Sequence, residues 1–152
     1  MKIIYTSSKG QCCVVHPVIN THTVVDGDVV PIPENITAQQ ALERSMLDVP
    51  SDAIDVQIVD DTQIPADRTF RGGWKVSQGK VEHDIQKCKT IAHDMRRAKR
   101  TTELSPLDIE ATIPAKAAHA EAARQAIRDK YAGIQAAIDA ADTVEQLKAE
   151  LS

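Results

Sequence analysis

Three groups of side chains in this sequence could do chemistry. The first is Cys12-Cys13-x-x-His16, with His22 downstream, which offers thiol and imidazole ligands of the kind that hold zinc. The surrounding residues are β-branched, and on a strand adjacent residues point to opposite faces, so both sulfurs are poorly placed for one tetrahedral ion. No second Cys-x-x-Cys or His-x-x-x-His completes a ligand set. The cysteines therefore read as strand-core residues, and no metal or other cofactor is expected. The second group is His83-Asp84 and His93-Asp94, two potential acid–base pairs. Sequence neighbours of this kind usually cap helices or face solvent, and no nucleophile in a recognisable context accompanies them. The chain has no phosphate-binding glycine loop, nucleophile elbow or dinucleotide fingerprint. The expectation is a protein that is not an enzyme. The third group is the run Arg96-Arg97-Ala98-Lys99-Arg100, with Lys87 and Lys89 upstream. A basic helix can bind phosphates. Cations at a helix C-terminus also oppose the dipole, at about 0.3–1 kcal/mol each, and a solvated or protein-facing helix end is the plainer reading.

A fourth set is better suited to recognition than to reaction. Arg68, Phe70, Arg71 and Trp74 lie within eleven residues, Ile64 to Trp74, that hold the only Phe and the only Trp of the chain. Arg and Trp are favoured interface residues because they bury large area while keeping donors. The competing reading is that Phe70 and Trp74 pack a hairpin onto the helix that follows. Candidate partner-binding residues are accordingly Arg68, Phe70, Arg71, Trp74, Arg96 and Arg97.

Bulk properties narrow the choice further. The net charge is −4 and aromatics make up 3% of the 152 residues, so both the global charge and the supply of base-stacking rings disfavour nucleic acid. Three cysteines, two of them adjacent, do not make a disulfide framework and suit a reducing compartment. The N-terminus turns polar at once, with no secretory h-region, and no apolar run approaches the roughly 18 residues of a membrane span. A soluble protein made in a cytoplasm is expected. The second half draws its apolar content largely from Ala, which buries little area, so a partner or a second copy of the chain is expected to cover it.

The elements that must position these residues can be read from period and punctuation. Lys2 to Thr6 and Cys12 to Val18 suit a hairpin around Ser7-Ser8-Lys9-Gly10. A connection from Asn20 to Glu34 has room for a short strand at Thr23 to Val25 or at Asp28 to Val30. Thr37 starts a helix carrying Ala38, Ala41, Leu42, Ser45 and Met46 at helical spacing. Ala53 to Val59 alternates Ile54, Val56 and Ile58 against Asp55 and Gln57, which predicts a strand with the isoleucine–valine face buried. Trp74 to Ser77 and Lys80 to His83 flank Gln78-Gly79 as a second hairpin. Asp84 caps a helix with the stripe Ile85, Cys88, Ile91, Ala92 and Met95. Ser105-Pro106 reads as a cap and first helical position that restarts the helix. Pro114 starts a long helix through Tyr131, and the spacing of Asp142 to Glu145 predicts a last helix, Thr143 to Leu151. The fold class is α+β: a small β-rich head with one helix, residues 1–83, followed by a helical tail region, residues 84–152.

Two segments resemble small tail or tail-fibre assembly proteins of tailed bacteriophages. One is Asp67-Arg68-Thr69-Phe70-Arg71-Gly72-Gly73-Trp74, then Gly79-Lys80-Val81 and the arginine-bearing helix from Asp84 to Arg97. Gly73 stands where those proteins usually carry Ala, His83 replaces a Val and Ile85 a Met. The other is Leu104 to Glu110, Ile113-Pro114, Ala122 to Tyr131 and Val144 to Lys148, which looks like their helical ends. The resemblance implies a non-enzymatic, chaperone-like protein that binds a phage tail fibre or another tail protein, acting in the host cytoplasm during assembly. A permanent tail, baseplate or fibre-attached component of the virion is the alternative it leaves open. An accessory protein binding nucleic acid through Arg96 to Arg100 is a third.

Overall fold

Lys2–Thr6 (β1) and Cys12–Val15 (β2) pair antiparallel, with Ile3 opposite Val15 and Thr6 opposite Cys12, in the computed structural model, which describes residues 1–17, 22–31 and 36–152. The turn between them closes through Ser7, whose N–H donates to Gln11 O at 2.8 Å and whose carbonyl accepts from Gly10 N at 2.8 Å. Gly10 supplies the φ of 72° that this turn needs. β2 ends at Val15, earlier than the expected Val18, which lies outside the described residues. The connection that followed was expected to hold one short strand or the other. It holds both, His22–Val25 (β3) and Asp28–Pro31 (β4), paired across Asp26-Gly27 with positive φ at both turn residues.

Ala38–Leu47 (α1) starts on a reciprocal cap in which Thr37 Oγ1 accepts from Gln40 N and Gln40 Oε1 accepts from Thr37 N. It buries Ala41, Leu42 and Ser45 and packs against β1. Met46, expected on the same stripe, is largely exposed. Ile54–Val59 (β5) then pairs antiparallel with β1 to complete a sheet of order β2-β1-β5.

The burial of β5 differs from the alternation expected of it. Ile54, Val56 and Ile58 are 58%, 36% and 50% exposed, and Val59 is the one residue of the strand that is buried. Register and edge position together account for this. Val59 lies opposite Lys2, so it shares the face of Ile4 and enters the core with it. Ile58 lies opposite Ile3, which is buried on central β1, while Ile58 itself is half-exposed on the edge. Ile54, opposite Thr6 past an irregularity in the pairing, is exposed although it shares the face of Ile4. Parity depends on register, which the period alone does not reveal. An irregularity between Ile4 and Thr6 coincides with Asp55 at φ 55°, the mark of a bulge in the edge strand.

Trp74–Ser77 (β6) and Lys80–His83 (β7) form the second hairpin across Gln78 and Gly79, at φ 45° and 81°. Ile85–Glu110 (α2) follows, capped by Asp84, which accepts from Gln86 N and Lys87 N at 3.0 and 3.2 Å. The restart expected at Ser105-Pro106 does not occur, and α2 runs through Pro106. An interior proline costs about 3 kcal/mol, and α2 is tied to the next helix on both sides of it. Glu103 binds Lys130 and Tyr131, and Asp108 pairs with Arg124 at 3.0 Å, all partners on the next helix.

That helix, Ala117–Ala140 (α3), begins three residues after the expected Pro114, which sits instead in a turn closed by Ile113 O. It continues through Gly133, where a Cβ would meet nothing within 4 Å. Gly133→Ala should therefore stabilise the protein by about 0.5–1 kcal/mol, read as a raised Tm in circular dichroism; a lowered Tm would mean that the position depends on the missing side chain. Val144–Leu151 (α4) is capped reciprocally by Thr143 and Gln146, one residue later than the Asp142–Glu145 spacing suggested.

The protein is a mixed α+β fold with its longer helices in the C-terminal half. Its contacts resolve into two compact units, 1–68 with 74–82, and 69–73 with 83–152. The first has a core of Ile4, Val59, Trp74 and Val81, joined by Cys12, Val14, Ile64 and Val76. The second centres on Phe70, Cys88, Ala92, Ile138, Ala141, Val144, Leu147 and Leu151.

Candidate functional site

Residues 67–74 divide between those cores. Phe70 is 1% exposed among the residues of α2, α3 and α4, and Trp74 is 3% exposed among those of the sheet. The expectation that the two rings together pack the hairpin onto the following helix is corrected: each ring completes a different core. As buried groups, neither offers a free surface to a partner. Arg68 and Arg71 are exposed.

Local structure holds Phe70 in place. Residues Arg71–Gly73 form a 3-10 turn in which Gly73 N donates to Phe70 O at 2.8 Å, and Gly73 O accepts from Asp84 N at 2.8 Å. The turn thus meets the capping residue of α2. A Cβ on Gly73 would come within 2.6 Å of Cys88 Sγ and 3.1 Å of Cys88 N, so the turn lies against the first turns of α2 without room for a side chain.

The basic helix end separates into buried and exposed members. Arg96 lies 8% exposed and donates from Nη1 to Tyr131 O of α3 at 3.1 Å. The outward contact expected of it is therefore corrected: buried side chains recur at Cys88, Ala92 and Arg96, so this arginine continues the inner face of α2. Arg97 is exposed and paired with Asp94. Lys99 donates to Leu151 O in α4, and Lys89 donates to Asp139 O near the end of α3 at 2.7 Å. Two of these cations therefore satisfy carbonyls in the last turns of neighbouring helices, where the dipole favours positive charge.

The histidine–aspartate neighbours also find other partners. Asp84 caps α2, and His93 Nε2 lies 2.9 Å from Asp139 Oδ1 across α2 and α3. Cys12 packs into the sheet core, whereas Cys13 lies opposite Tyr5 on the other face, so the two sulfurs diverge. Among the described residues no group of three or more His, Cys, Asp or Glu is arranged to hold a metal ion. No helix described is long and apolar enough to cross a membrane.

One polar cluster was not legible beforehand. Arg96, Glu103, Lys130 and Tyr131, with Lys99 and Ile134, line a cleft of about 100 Å³ between α2, α3 and α4. Tyr131 Oη donates to Glu103 Oε1 at 2.7 Å, and Lys130 Nζ donates to the two oxygens of the same carboxylate at 2.9 and 3.1 Å. The hydrogen bond from Lys130, followed by that from Tyr131, holds the Glu103 carboxyl below its ordinary range. Burial, then the hydrogen bond to Glu103, pushes Tyr131 from 10.0 up to about 12. Both shifts move away from neutrality, so this cluster poises no proton for transfer near pH 7. It ties α2 to α3. Its members lie 27 and 28 residues apart in sequence, a helix-to-helix register that no local spacing announces.

The signs of the two shifts fix a pH dependence. A raised tyrosine stabilises the fold below its unfolded value of 10.0, and that contribution is lost as pH rises through about 12. A lowered carboxylate stabilises above its ordinary range and is lost as pH falls through its depressed value. In an ultraviolet titration of tyrosinate, Glu103→Gln should bring one tyrosine transition down from about 12 towards 10.0 and leave that of Tyr5 in place. Superimposable titrations of variant and parent would show that Glu103 does not hold the Tyr131 hydroxyl.

No family model, no curated protein and no solved structure matches this chain.

Proposed function

We propose that this chain is a non-enzymatic, chaperone-like assembly protein for the tail fibre of a tailed bacteriophage. The observation that carries the proposal is the segment Asp67 to Trp74, in which the residues that carry the resemblance separate by role. Phe70 and Trp74 are consumed by the cores, while Arg68 and Arg71 stay at the surface.

Co-expression with the candidate fibre polypeptide tests the proposal. Soluble, trimeric fibre should form with this protein and fail to form without it. The variant Arg68→Glu, at an exposed position, should lower the yield of trimer while leaving the Tm of the assembly protein unchanged. Equal yields of trimer with and without the protein would refute chaperoning. Mass spectrometry of purified particles separates the alternative, because a stoichiometric amount in mature virions would make the protein a permanent tail component.

A further inference from the structure

β5 is an edge strand with an unusual surface. In the sheet order β2-β1-β5 its outer edge has no strand partner among the described residues, and the backbone groups of Ile54 to Val59 take part in no turn or loop bond found there. Two β-branched side chains, Val56 and Ile58, stand exposed on one face of it, and Ile54, past the bulge, stands exposed on the other. Natural edge strands are usually blunted with lysine or proline, since unpaired N–H and C=O groups beside apolar side chains invite pairing with another chain. This one carries neither; its bulge at Asp55 blunts one end and leaves Val56 to Val59 regular, and its flanking charge has a single sign. Between Arg44 and Arg68 the sequence contains no Lys or Arg, and Asp52, Asp55, Asp60 and Asp61 are all exposed. The cations found against them are Lys2 and the Met1 amine, 3.4 and 3.9 Å from Asp61.

The charge decides between occupants. In an antiparallel pair of two β5 strands centred on Val56 and Gln57, Asp52 of one copy falls beside Asp60 and Asp61 of the other, at both ends of the ribbon. Like charges placed opposite each other destabilise a strand pair, so a second copy is disfavoured. A cationic strand meets the opposite situation: its backbone completes the ladder, its apolar side chains cover the exposed stripe, and its lysines or arginines meet the aspartates.

We propose that the free edge of β5 accepts, by strand addition, an extended segment of a partner polypeptide that alternates β-branched apolar residues with lysine or arginine. In such recognition main-chain bonds supply affinity and alternate side chains supply specificity. The edge would serve any partner with that chemistry, whether or not it is a tail fibre.

The test uses the full chain and three fluorescent ten-residue peptides, alternating valine with lysine, valine with glutamate, and glycine with lysine. Anisotropy should show binding of the valine–lysine peptide, weakening with added salt, and little binding of the other two. Hydrogen exchange should slow in residues 54–59 when the valine–lysine peptide is bound. Asp52→Asn with Asp55→Asn should weaken binding by about three- to tenfold, since each exposed charge contributes little. Asparagine tolerates the positive φ at position 55, so the fold should survive. Ile58→Lys, at an exposed position, gives a second variant expected to abolish binding. Several outcomes would overturn the proposal. They are equal binding of the glycine–lysine peptide, no binding of the valine–lysine peptide, and binding without protection of residues 54–59. Exchange in the free protein as slow across β5 as across β1 would mean that the edge is already covered. A dimer in sedimentation equilibrium that Ile58→Lys dissolves would assign the edge to a second copy instead.

Discussion

Truncating either buried aromatic ring should cost the protein about 3–5 kcal/mol, and the two losses should be felt in different places. Phe70→Ala removes the ring at the centre of the helical cluster and should speed amide exchange in α2, α3 and α4. Trp74→Ala opens the sheet core and should speed exchange in β1, β5 and the β6–β7 hairpin. Phe70→Ala can be followed optically as well. Trp74 is the only tryptophan, so its fluorescence follows the sheet unit, whereas circular dichroism at 222 nm is dominated by the helices. Chemical denaturation of Phe70→Ala should therefore show the dichroism midpoint displaced furthest. If amide exchange in β1, β5 and the β6–β7 hairpin were as slow in Trp74→Ala as in the parent, the ring could not belong to the sheet core.

Alanine at position 73 should destabilise the helical unit by about 3 kcal/mol, although it adds only a methyl group. The backbone is not the cause, because Gly73 does not occupy the positive-φ region that favours glycine. The obstacle is the 2.6 Å approach to Cys88 Sγ, on a side chain that is itself completely buried and has nowhere to turn. A double-mutant cycle isolates that contact. Cys88→Ala alone should cost about 1 kcal/mol for the lost sulfur. Combined with Gly73→Ala it should be less destabilising than the sum, leaving the 3.1 Å approach to Cys88 N. Additive losses would show that the sulfur is not what excludes the methyl.

Local signals were readable in this sequence and distant ones were not. Hairpins betray themselves through turn chemistry, as at Gly10 and at Gln78-Gly79, because positive φ restricts which residues can stand there. Helix starts betray themselves through caps, as at Thr37 and Asp84. The face that β5 buries depends on how it registers against β1, so alternation identified a strand and assigned it the wrong inner face. Pro106 looked like a boundary because its local preference is strong, yet α2 continues through it, and Glu103 and Asp108 on either side contact the next helix. Arg96 could have been found. Cys88 and Ala92 belong to the expected apolar stripe, and a further step of four residues lands on Arg96, whose charge concealed its position. The carboxylate–tyrosine–lysine cluster had no comparable signal, because it exists only once α3 lies beside α2.

Phe70 and Trp74 stand four residues apart yet serve separate cores, and this has a consequence for heredity. Neither unit is a continuous stretch of the gene. Residues 69–73 belong with the helices, and residues 74–82 return to the sheet. Recombination between related genes at residue 84, where composition changes, would deliver helices without the phenylalanine that fills them. It would also leave the donor of the head with an orphaned 3-10 turn. The chain should therefore be inherited whole, and chimaeras that exchange its halves should misfold unless their crossover preserves both Phe70 and the residues it meets.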